Sequence, residues 1–113
     1  MEFQKARLIY GELAGKKVVV FEGRFHAYEG LDFFKITYPI RLMQCIAIKN
    51  VIISNAAGAI NLNIKKGEVM LIEDHINLQG GSPLADKGVE KLGPRFVDMR
   101  APYSPSICSA AKS

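Results

Sequence analysis

The sequence predicts an α/β fold: part of a mixed β-sheet sandwich flanked by helices, and an incomplete one. Three observations point there. Apolar, β-branched runs recur at Val18–Phe21, Val51–Ile53 and Val69–Ile72, too uniformly apolar for half-exposed sheet positions. A stretch with apolar residues at helical spacing lies between the first two. Small, turn-forming residues punctuate the runs, as at Ala14-Gly15 and Lys66-Gly67. The chain has 113 residues, the size of one domain, and is read as a single partial domain over 1–113.

Taken in order, Arg7–Leu13 alternates loosely and reads as a strand, Ala14-Gly15-Lys16 as a turn, and Lys17–Phe21 as the returning strand of a hairpin. Pro39 is expected to open a helix, since its fixed φ suits the first helical position and its missing N–H is no loss there. Ile40, Met43, Ile46 and Ala47 then recur at helical spacing. With Val51–Ser54 as the next strand, the pattern is that of a βαβ unit with a right-handed crossover. Val69–Ile72 is expected to be a further strand, and the Gly- and Pro-rich stretch from Asn77 to Arg95 a long loop. Beyond Ala101 structure is expected to be weak, with a helix beginning near Ser106 and running to Lys112.

Composition narrows the classes. Formal net charge is +4, and the basic residues are scattered in small groups rather than set in a stripe with aromatics between them, which argues against nucleic-acid binding. No run approaches the ~20 apolar residues of a membrane span, and the polar N-terminus does not read as a signal peptide. The expectation is a soluble cytoplasmic protein without a membrane role. Cys45, in an apolar helical run, is expected to be a small buried hydrophobe, and Cys108 to be exposed. Their spacing supports neither a disulfide framework nor a zinc site, and the absence of GxGxxG and Walker patterns argues against a generic nucleotide-binding module.

The chemistry gathers in Gly23-Arg24-Phe25-His26-Ala27-Tyr28-Glu29-Gly30, directly after a strand. A guanidinium fork and an imidazole at a sheet edge can hold a small oxyanion, the fork taking two oxygens at once. Asn55-Ala56-Ala57-Gly58 follows the Val51–Ser54 run. Small residues there allow close backbone approach to a ligand, with successive N–H groups able to cup an anion.

Together with Asp74-His75-Ile76-Asn77 and Gly93-Pro94-Arg95-Phe96-Val97-Asp98-Met99, these stretches resemble the trimeric purine nucleoside phosphorylases, in the same order and over nearly the whole chain. The related methylthioadenosine phosphorylases share the fold but usually carry a His where Phe25 stands. The resemblance implies phosphorolysis: inorganic phosphate displaces a purine from C1′ of a (deoxy)ribonucleoside, giving the free base and the sugar 1-phosphate. It implies no metal and no organic cofactor, phosphate being the co-substrate, and a homotrimer. It assigns phosphate to Arg24, His26 and the main-chain N–H of Ala56, and catalytic roles to His26 and Glu29, the latter orienting the imidazole. Tyr28, Asn55, Ala57 and Phe96 fall to the nucleoside, Phe96 being lent to a neighbouring subunit. For His75, beside Asp74, a structural role is expected.

The chain departs from the family pattern in three ways. Glu22 stands where a neutral residue is usual, and a carboxylate pointing inward there would repel phosphate. Ala59 replaces a second Gly and would be strained if that backbone needed positive φ. The chain also lacks counterparts of the family's upstream Gly-Ser-Gly loop and of the downstream residues that grip the purine. It is therefore expected to expose apolar sheet faces and open edges. The alternative to an active phosphorylase is a catalytically incompetent fragment or pseudoenzyme that binds phosphate or self-associates.

Overall fold

A computed structural model describes residues 7–85 and 87–113. It divides into two compact units, Met1–Ile48 and Lys49–Ser113.

The first unit opens with the expected hairpin. Strands β1 (Arg7–Leu13) and β2 (Lys16–Glu22) pair antiparallel, from Arg7 opposite Glu22 to Leu13 opposite Lys16. The two-residue loop puts both central residues at positive φ, Ala14 at 48° and Gly15 at 72°. That conformation matches the strand twist but is costly for alanine. At the outer end of the pair, the Arg7 Nε lies 2.5 Å from the Glu22 carboxylate.

The helix α1 (Phe33–Cys45) starts six residues before the expected position. Asp32 caps it, its side chain accepting the Lys35 N–H at 2.8 Å, which satisfies a donor left orphaned at every helix start. Pro39 consequently lies inside the helix rather than at its first position, where the ring removes the N–H that would bond the carbonyl four residues back. The signal that outweighed it was Asp32 directly ahead of an apolar run. Phe34 and Tyr38 meet one turn apart with ring centroids 6.5 Å apart, and the Arg41 guanidinium sits 4.4 Å over Phe34. At the far end the Ala47 N–H donates to the Gln44 carbonyl and the Ile48 N–H to that of Met43. These are the paired bonds of a Schellman cap, with Ala47 rather than glycine in the left-handed position at φ 59°. Cys45, expected to be buried, is exposed: it continues the Phe34–Tyr38–Arg41 stripe into the last turn of α1, and helical spacing alone does not say that a stripe is covered along its whole length.

The second unit departs further from expectation. Among the described residues the only sheet is the β1–β2 pair. Val51–Ser54 and Val69–Ile72 are not strands, and neither the βαβ unit nor the wider sandwich is formed. The composition of the runs is right for strands, but a buried parallel strand needs neighbours on both sides to take its N–H and C=O groups. Ile52 is 87% exposed and Val69 fully so. The expectation of uncovered apolar surface is met in both units. It extends to β2, where no residue of the expected core strand is fully buried, and Val89 is the one buried apolar side chain among the described residues.

The Asn77–Arg95 loop is present but folds locally into two 3-10 turns, Pro83–Ala85 and Val89–Lys91. Arg95 spans it, donating to the Ala85 carbonyl and to Glu90. The helix expected near Ser106 is α2 (Pro105–Lys112), with Pro105 in its first turn, where proline is tolerated. Lys112 pairs with Glu73 at the helix end where a cation suits the backbone dipole. That pairing pulls the Glu73 carboxyl below its usual value and raises the lysine. No helix of the described residues is long and apolar enough to cross a membrane.

Candidate functional site

The residues of the first unit expected to hold phosphate lie where β2 ends. Gly23, at φ 90°, turns the chain out of the strand in a conformation that disfavours other residues. Arg24 follows. His26 is extended, at φ −125° and ψ 149°, and precedes a single 3-10 turn, Ala27–Glu29. Side chains three residues apart nearly eclipse in such a turn, so Glu29 comes back over His26. The imidazole Nδ1 lies 3.0 Å from the Glu29 carboxylate, and the Glu29 N–H donates to the His26 carbonyl at 3.1 Å.

The Tyr28 ring stacks on the imidazole, with centroids 4.7 Å apart and planes 15° from parallel. One neighbour fixes the ring's rotation and the other its plane. A carboxylate has no proton to give, so Nδ1 donates and Nε2 is left for a further partner. The same hydrogen bond holds the Glu29 carboxyl below the usual glutamate value, against a smaller upward push from desolvation.

Phe25, between Arg24 and His26, joins Leu31, Phe34, Lys35 and Tyr38 around a shallow cavity of about 200 Å³. The motif thus lies against the face of α1 that carries the aromatic residues. Asp32 matters here as well, since it starts α1 early enough to bring Phe34 and Tyr38 to Phe25. Glu22, the carboxylate of concern beside this motif, is engaged by Arg7.

The remaining expected site residues belong to the second unit. Asn55, Ala56 and Ala57 lie in an exposed, irregular segment. Ala59 is not among the residues at positive φ, so the strain feared for it does not arise. Phe96 is 91% exposed. His75 has a structural environment: its Nε2 meets the Tyr103 hydroxyl, the rings stand 5.5 Å apart, and its N–H is accepted by the Asp74 side chain. Tyr103 carried no local signal, since it lies 28 residues from His75. Arg7 could have been found from the hairpin register alone, which sets it opposite Glu22.

The arrangement leaves an imidazole fixed by Glu29 and Tyr28, two residues after Arg24 in the chain. Residues 2–113 match the profile of the Phosphorylase superfamily, and the chain belongs to that family. Its relatives carry a narrower description. The chain is 44% identical over 112 residues to purine nucleoside phosphorylase 1 of Geobacillus stearothermophilus, covering 99% of this chain and 41% of that protein. With purine nucleoside phosphorylase 1 of Bacillus subtilis the identity is 38% over 112 residues, again 99% of this chain and 41% of the relative. With the Bos taurus purine nucleoside phosphorylase it is 41% over 110 residues, 95% of this chain and 38% of the relative. The chain therefore spans about two fifths of the length of the curated relatives it matches.

Proposed function

We propose that the chain is part of a purine nucleoside phosphorylase, a pentosyltransferase that cleaves purine (deoxy)ribonucleosides with inorganic phosphate to free purine and (deoxy)ribose 1-phosphate. The observation that carries this reading is 38–44% identity across nearly the whole chain to proteins of that description. In this reading Arg24, His26 and the Ala56 N–H hold the phosphate, and Glu29 keeps the imidazole turned toward it. Tyr28, Asn55, Ala57 and Phe96 contact the nucleoside. The developing sugar cation gains most from an anion fixed beside it. A stacked, hydrogen-bonded imidazole supplies such fixation without reorganisation during the reaction. The whole protein works in this reading as a cytoplasmic homotrimer, Phe96 of one subunit serving its neighbour, with no cofactor beyond the phosphate.

A coupled assay for free hypoxanthine released from inosine, with and without phosphate, tests it. Phosphate-dependent release that Arg24→Gln abolishes is the expected result. Release without phosphate would make the protein a hydrolase. The second reading, a non-catalytic chain that binds phosphate or self-associates, draws on the exposed apolar side chains such as Ile52 and Val69. Phosphate binding without turnover would favour it.

A further inference from the structure

A carboxylate two residues from an anion-binding arginine is a chemical mismatch, and Glu22 occupies that position relative to Arg24. Two residues of chain span at most roughly 7 Å, within the ~8 Å over which physiological salt screens exposed charges. An unpartnered carboxylate there would compete for the guanidinium and repel an incoming dianion. Glu22 is not unpartnered. The register of the hairpin sets Arg7 directly opposite it, which places the two side chains on one face of the pair. The Arg7 Nε approaches the carboxylate to 2.5 Å. A carboxylate so engaged presents a dipole rather than a net charge, and its rotamer is tied to β1.

We infer that Arg7 is a positioning residue for the anion site: by holding the Glu22 carboxylate against β1, it keeps negative charge away from a phosphate bound at Arg24. This rests on the phosphate reading of Arg24. Arg7 acts on phosphate through Glu22 and does not touch it. The pair is exposed, 70% at Arg7 and 50% at Glu22, so it contributes little to stability. Its effect belongs in anion affinity, where one uncompensated charge is felt directly.

The test is calorimetric titration of inorganic phosphate into the chain and five variants, at low and high salt, with far-UV circular dichroism confirming the fold. Arg7→Gln is expected to weaken phosphate binding about threefold at low salt, an effect that shrinks at high salt. Glu22→Gln and the double variant are expected to bind at least as tightly as the parent, and Arg7→Lys to match it. Arg24→Gln is expected to lose binding. Unchanged affinity in Arg7→Gln, with binding still dependent on Arg24, overturns the inference and leaves the phosphate reading standing. Equal weakening by Arg7→Gln with and without Glu22 also overturns it, since Arg7 would then act on phosphate directly. Binding that is indifferent to Arg24 overturns the phosphate reading and the inference with it. If Arg7→Gln does not fold, Glu22→Gln alone decides: weaker phosphate binding than the parent contradicts the inference.

Discussion

The units Met1–Ile48 and Lys49–Ser113 are built from similar amounts of apolar, β-branched sequence, yet only the first turns such a run into a strand. The difference is what lies next door in sequence. Val18–Phe21 has a partner seven to thirteen residues away, joined by a two-residue turn, so the cost of loop closure is small. Val51–Ser54 and Val69–Ile72 have no such neighbour, and their candidate partners are distant segments. The lesson is that apolar pattern selects strand-competent sequence, while local turn and cap chemistry decides which of it closes within a given stretch of chain.

Substitutions test this difference between the units. The largest effect is expected at Pro39. Replacing it by alanine restores an N–H inside α1 and should raise stability by up to ~3 kcal/mol, read as a shift in the urea midpoint. No shift would mean that the helix is held from elsewhere. Asp32→Ala removes the cap and should cost about 1 kcal/mol. Ala47→Gly relieves a left-handed alanine and should gain about 1 kcal/mol, despite the usual penalty for glycine. In the second unit, Ile52→Thr should change stability by less than ~0.5 kcal/mol, because the side chain is already 87% exposed. A loss of several times that would show that this run is paired in solution and would erase the contrast between the units.

Smallest is a pH effect in the first unit. The Glu29 carboxyl is held below its usual value by His26, so the pair's contribution is present above the unfolded-state glutamate pKa. It is lost as pH falls through the lower folded value. Glu29→Gln should remove that acid dependence from the His26 ring resonances. An unchanged profile would mean the carboxylate does not hold the ring. In the second unit the Glu73–Lys112 pair titrates at both ends. Glu73 is depressed and Lys112 raised, so the contact fails in acid below the glutamate range and in base above the lysine range.

What was legible in the sequence follows the same division. The hairpin, with its turn at Ala14-Gly15, was readable because register and turn are set within a dozen residues. The Arg24–Glu29 stretch stands out in the sequence because strand exit and glycine are local signals, whereas the 3-10 turn that folds Glu29 back over His26 is seen only in the structure. The start of α1 differs from the position Pro39 suggests because the Asp32 cap is the stronger local signal. Helical spacing sets Cys45 on an apolar stripe but does not say that the stripe is covered there. The strands expected at Val51 and Val69 were not formed, because sequence composition carries no information on whether a partner strand is at hand. The Tyr103–His75 and Lys112–Glu73 contacts lie beyond any local rule.

The claim on which the account rests is that Arg24 and His26 grip phosphate together. Proton–nitrogen spectra of the two imidazoles during a titration with inorganic phosphate test it most directly. The account predicts that His26 shifts in a saturable way while His75, held by Tyr103, stays still, and that Arg24→Gln abolishes the response. A stationary His26 at phosphate concentrations that saturate the calorimetric binding, or equal movement of both rings, would contradict it.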